Sequence, residues 1–110
     1  MPYIDVNVNC EITAEKETTL KTALGEIISE IPGKSEDSLM IQFHDFCRLW
    51  HAGDNSSRIA FINVMLLGCA PKDAYKAFSD RVMELFCAQL EIDKNNTYVK
   101  FEEVPNWFWG

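Results

Sequence analysis

Basic residues are scarce in this sequence, histidines scarcer, and no two cysteines lie close together. Ten lysines and arginines face seventeen aspartates and glutamates, giving a net charge of −7. Nucleic-acid binding needs Lys and Arg clustered against phosphate, so this balance argues against it. Only Lys94 and Lys100 come near an aromatic-flanked strand. Cys10, Cys47, Cys69 and Cys87 contain no pair at the two-residue spacing of a zinc or redox motif, and neither His44 nor His51 stands at helical ligand spacing to any of them. Free thiols in a reducing compartment are expected, with no metal and no other cofactor. The longest apolar run, Val64 to Ala70, is too short to span a bilayer, so no membrane role is expected. No basic, apolar, small-residue leader precedes the first strand, so no secretory signal is expected. The glycosylation patterns at Asn55-Ser56-Ser57 and Asn95-Asn96-Thr97 should then stay bare. The 110 residues, 47% hydrophobic and 25% charged, read as one cytoplasmic domain over 1–110, with release by a leaderless route as the alternative.

What is present starts at the first residues. Ile4, Val6 and Val8 alternate with Asp5, Asn7 and Asn9, the period of a strand with one buried face. Pro2 is tolerated there because a strand's first position need not donate to the ladder. A small residue behind Met1 favours removal of the methionine, which would leave Pro2 as a free secondary amine. Such an amine starts near a pKa of about 8 and falls when desolvated, so it can act as a base. Met-Pro is also an ordinary beginning for a chain, and these two residues do not decide between the readings.

Thr13 is a natural N-cap, with Glu15 and Glu17 in the first turn. Leu20, Ala23, Leu24, Ile27, Ile28 and Ile31 then form one helical stripe. Gly25 inside it costs about 1 kcal/mol relative to alanine. Pro32-Gly33 ends the helix and leaves Lys34 in the turn. Leu39 to His44 predicts a second strand, with Leu39, Ile41 and Phe43 on one face. Asp45 to Arg58 has no period and reads as a loop, with a short edge strand around Arg48 to Trp50. Ile59 to Leu67 is apolar on both faces and suits a central, doubly covered strand. A helix follows from about Pro71 to Leu90, with Phe78, Val82, Leu85, Phe86 and Leu90 inward. After a polar turn at Asp93 to Asn96, Tyr98 to Glu102 predicts a last strand, with Tyr98, Lys100 and Glu102 on one face.

The expected class is α+β: two βαβ units forming a four-stranded mixed sheet with two helices on one face. The other face carries much apolar surface in this reading, and oligomerisation is the economical cover for it.

Pro2 opening Ile4-x-Val6-x-x-Asn9, Gly33-Lys34 after the first helix, and Leu90-Glu91-Ile92 before Tyr98 together carry a resemblance to a known family. So do Phe43-His44-Asp45, Ala52-Gly53, Leu67-Gly68, Val104-Pro105 and Trp109-Gly110, all in register. Over nearly its whole length the chain resembles macrophage migration inhibitory factor and D-dopachrome tautomerase. The resemblance implies a homotrimer with pockets at subunit boundaries. It also implies a tautomerase in which Pro2 is the general base, moving a proton between the α-carbon and the enol oxygen of phenylpyruvate-like α-keto acids. Lys34 matches the residue that holds the substrate carboxylate, Leu67 the isoleucine that lines the pocket, and Tyr98 the tyrosine that a neighbouring subunit contributes. The alternative is a cytokine-like, receptor-binding member with a weak or vestigial site. A hydratase or dehalogenase of the wider group would need a water-activating charge, for which only His44 or Lys100 is available.

The sequence departs from the family at Ser35, where it has proline, and over Gly53 to Arg58, which replaces a glycine-rich pocket rim. Leu66-Leu67-Gly68-Cys69 replaces Ser-Ile-Gly-Gly. Ile59-Ala60-Phe61-Ile62 replaces the Cys-x-x-Cys of some members, so no thiol–disulfide activity is expected. The family's tail beyond Trp-Gly is absent after Gly110, which should weaken a trimer. Lys100 replaces an asparagine. Sharing a face with Tyr98, it is expected to bring a second cation toward the Pro2 amine. At about 8 Å and an effective dielectric near 20 that is worth roughly 2 kcal/mol, or about one and a half pKa units.

Overall fold

The computed structural model describes residues 1–110. Strand β1 (Pro2–Val8) is followed by helix α1 (Ala14–Ile27), strands β2 (Met40–His44) and β3 (Ala60–Leu67), helix α2 (Lys72–Leu90) and strand β4 (Thr97–Val104). The sheet order is β2-β1-β3-β4. β1 pairs parallel with β2, antiparallel with β3, and β3 pairs parallel with β4. Two βαβ halves therefore meet along an antiparallel seam, as the alternating order of elements predicts.

The local chemistry explains each boundary. The Thr13 hydroxyl accepts from Lys16 N–H at 3.2 Å and caps α1. A turn of tighter helix, Ile28–Glu30, carries the stripe on to Ile31, and Gly33 at φ 78° makes the reversal before Lys34. Pro71 is the N-cap of α2, just outside it, where its missing N–H costs nothing. The far end of α2 closes through Glu91 in the left-handed region, and Arg58 Nη1 donates to the Leu90 carbonyl at 2.6 Å. That contact ties the long loop to α2. Asn9 works similarly, accepting from Ile59 N–H at 2.7 Å and donating to the Ser57 carbonyl at 2.9 Å.

Both helices pack on one face of the sheet. Ile4, Val6, Val8, Ile62, Val64 and Leu66 meet Leu20, Leu24, Phe78, Val82 and Phe86 there, all fully buried. Phe78 also meets Phe101 of β4 edge-on, with ring centroids 5.5 Å apart. Truncating such a side chain removes burial and leaves a cavity that a close-packed core fills poorly. Phe78→Ala should lower stability by about 3–5 kcal/mol, read as a shift of the denaturant midpoint with little change in slope.

Three expectations are corrected. No strand forms at Arg48 to Trp50; the loop's sole β pairing is a single bridge between His51 and Asp54. Strand β3 is central but covered on one side only: Ala60, Ile62, Val64 and Leu66 are buried, while Phe61 is exposed and Asn63, Met65 and Leu67 are half-buried. The open face is also more polar than its sequence suggested. Tyr3, Asp5, Asn7, Gln42, His44, Asn63, Lys100 and Glu102 all fall on it by strand alternation. The large exposed apolar residues are Met40 on edge strand β2, Tyr98 on edge strand β4, Phe46 and Trp50 in the loop, Phe61 on β3, and Phe108 and Trp109 in the tail. Most of them stand at the sheet's margins.

Candidate active site

Pro2, Leu66 and Glu103 stand side by side at one end of the sheet. Lys34 reaches this end from the turn after α1, and its Nζ donates to the Leu67 carbonyl at 2.9 Å. Leu67 in turn donates its N–H to the Met1 carbonyl at 3.2 Å. A cation, a backbone donor and the chain's own N-terminus thus converge within two hydrogen bonds. Burial and the Lys34 charge, in that order, hold the Met1 amine below its ordinary value of 8.0, with a hydrogen bond to Lys34 adding to the effect.

Nearby, on the helix side of β4, Tyr75 stacks on Phe101 and donates to Glu103 at 2.5 Å. Burial first, then the hydrogen bond to the Glu103 carboxylate, push its hydroxyl up to about 12. Tyr75 therefore stays protonated at neutral pH and acts here as a donor to Glu103. The sequence offered no sign of this pair, since its members are 28 residues apart.

Tyr98 lies elsewhere. It pairs with Phe61, which pairs with Asn7, so it occupies the opposite end of the sheet from Pro2. It stands five residue steps along β4 from Glu103, a run of about 17 Å at strand rise. Its side chain is 62% exposed. Lys100 shares that outward face as expected, but its ammonium sits 3.2 Å from Glu102 Oε1, and it stands three residues short of the level of Pro2. A single chain accordingly brings together Pro2, Lys34 and Leu67, and keeps Tyr98 and Lys100 apart from them. None of the clefts in the chain is lined by Pro2, Lys34 or Leu67; the largest, about 670 Å³, lies against α2 between Asp80 and Lys94. His44, the candidate water activator, has its Nε2 3.5 Å from Asp5 Oδ1 on the open face.

The sequence profile of the family described as Macrophage migration inhibitory factor (MIF) matches residues 1–110. The chain belongs to the MIF family. Among solved structures, Leishmania major MIF2 is 24% identical with a TM-score of 0.91, covering 99% of this chain and 93% of its own. The MIF-like protein of Entamoeba histolytica is 23% identical with a TM-score of 0.83, covering 99% and 95%. A third structure, Pt0534 inactivated by 2-oxo-3-pentynoate, is 13% identical with a TM-score of 0.81, covering 93% and 85%. A comparison with curated proteins found no match. At these identities the structural likeness speaks for the MIF fold, and the residues of the site must argue for themselves. No helix of this MIF-family chain is long and apolar enough to cross a membrane.

Proposed function

We propose that this MIF-family protein is a tautomerase that interconverts keto and enol forms of phenylpyruvate-like α-keto acids, with the amine of Pro2 as general base once Met1 is removed. The observation that carries the reading is the pair of hydrogen bonds at the N-terminus: Lys34 Nζ to the Leu67 carbonyl, and Leu67 N–H to the Met1 carbonyl. Removing Met1 takes away that carbonyl and leaves the Leu67 N–H free beside the Lys34 ammonium. A backbone donor next to a cation is a fitting cradle for a carboxylate. In this reading a substrate oxygen takes the place of the Met1 carbonyl oxygen.

The reaction needs only one proton carrier. Neutral Pro2 takes the enol O–H proton as the carbonyl forms, and the resulting ammonium returns a proton to the carbon beside it. No redox partner or metal enters this balance. The base must be neutral at rest, and partial burial with a neighbouring cation favours that form.

Tyr98 serves the pocket of a neighbouring subunit, because its own Pro2 is out of reach. The apolar residues at the two sheet edges, Met40 on β2 and Tyr98 on β4, suit a head-to-tail ring, and a homotrimer closes such a ring. Lys100 goes with Tyr98 to that boundary, though its pairing with Glu102 reduces its field there to that of an ion pair. Light scattering should give three times the subunit mass at micromolar concentration. A monomer with full activity at that concentration would refute the shared site. Turnover itself is read from loss of the enol absorbance of phenylpyruvate; a sample shown by mass to lack Met1, yet unable to accelerate that loss, would sink the enzymatic reading.

A further inference from the structure

His51 lies in the loop over the far end of the sheet, outside the cluster around Pro2. Its backbone is fixed by two hydrogen bonds to Asp54, at 2.9 and 3.0 Å. Its ring meets Tyr98 edge-on, with centroids 5.2 Å apart. Nδ1 lies 2.9 Å from Asn96 Oδ1, and Nε2 lies 3.2 Å from the Tyr98 hydroxyl. An amide oxygen can only accept, so the ring proton belongs on Nδ1. Nε2 of the neutral ring then has only a lone pair to offer, and the Tyr98 O–H must be the donor to it.

We infer that His51, oriented by Asn96, is a positioning residue that accepts the hydrogen bond of the Tyr98 hydroxyl and so leaves Tyr98 a hydrogen-bond acceptor toward the ligand. The inference rests on the reading of Tyr98 as a pocket residue for the neighbouring subunit. A free tyrosine hydroxyl can turn to donate or to accept. With its proton committed to Nε2, the outward side of the oxygen presents only lone pairs. Beside it a small cavity of about 120 Å³ is walled by Leu49, Trp50, Ile59 and Phe61. An aromatic ring bearing a hydroxyl fits this combination, since the ring meets apolar walls and the hydroxyl supplies the donor Tyr98 lacks. An unsubstituted ring leaves the Tyr98 oxygen without a partner.

The test compares phenylpyruvate with 4-hydroxyphenylpyruvate in the wild-type protein, His51→Phe, Tyr98→Phe and the double variant. The wild type should favour the hydroxylated acid by about fivefold, the worth of one net hydrogen bond, in KM rather than kcat. His51→Phe should bring that ratio close to one and have no further effect on it in the Tyr98→Phe background. A purely structural role for His51 would change both acids alike. A ratio kept in His51→Phe but lost in Tyr98→Phe overturns the inference while leaving the Pro2 reading intact. Unchanged kinetics in Tyr98→Phe removes Tyr98 from the site, and the inference with it. A readout independent of turnover is the nitrogen chemical shifts of the His51 ring: a proton on Nδ1 supports the inference and one on Nε2 refutes it.

Discussion

Replacing Pro2 by glycine is expected to lower kcat/KM for phenylpyruvate by about a hundredfold or more, while the chain still folds. Glycine also leaves a terminal amine after Met1 is removed, so the loss does not come from deleting nitrogen. Pro2 is buried at the start of β1 against Leu66 of β3, and its ring fixes both the position and the direction of the amine. A glycine amine turns freely and is better hydrated. That freedom takes it away from the line of proton transfer. The fold should survive because β1 keeps Ile4, Val6 and Val8 in the core. Circular dichroism and the denaturant midpoint check the second half of the statement, and the enol assay the first. Full activity in a correctly folded Pro2→Gly protein would end the case for proline as base.

Lys34→Met carries the second large effect, and it should appear in two places at once. Losing a charge-assisted partner for the carboxylate should raise KM for phenylpyruvate by about 10–100-fold. Ester analogues, which lack that charge, should be affected less. The pH–rate profile should move as well. A base works when neutral, so activity should rise with pH through the Pro2 amine's pKa, and burial and Lys34, which both lower the Met1 amine from its ordinary 8.0, are expected to lower the Pro2 amine as well. Removing Lys34 abolishes its share of the depression, and the rising limb should shift toward higher pH. Burial is the larger cause and remains, so the limb should stop short of an unperturbed amine. A rise in KM with a stationary limb would mean that Lys34 binds substrate but does not tune the base.

The sequence was most informative where it is periodic. The alternation of β1, the Thr13 cap and the α2 stripe each carry a local rule, and each formed as read, except that Leu85 is half-buried beside the buried Phe78, Val82, Phe86 and Leu90. Asp45 to Arg58 carries none, so a strand around Arg48 was expected where one bridge at His51 is found. The open face was misread for a different reason. Its polarity comes from strand partners distant in sequence, Asp5 beside Asn63 and Asn63 beside Lys100, and no single stretch displays it. The same limit applies to the sites. Pro2 and Lys34 were singled out from motifs, but Lys34 meets Leu67 across 33 residues and His51 meets Tyr98 across 47. The separation of Tyr98 from Pro2 became visible only with the register of β3 and β4.

The most direct test of the account is chemical labelling of the Pro2 nitrogen. An α-keto acid with a conjugated alkyne, such as the 2-oxo-3-pentynoate that inactivates Pt0534, is steered by its carboxylate and captures a neutral amine by addition to the alkyne. The four cysteines are competing nucleophiles, and Cys69 and Cys87 are exposed, so the adduct must be located by peptide mapping. The account predicts one adduct on the Pro2 nitrogen of the Met1-free chain, formed in step with loss of tautomerase activity and slowed when the amine is protonated. Activity that persists with Pro2 fully labelled, or inactivation with the adduct only on cysteine, would contradict it.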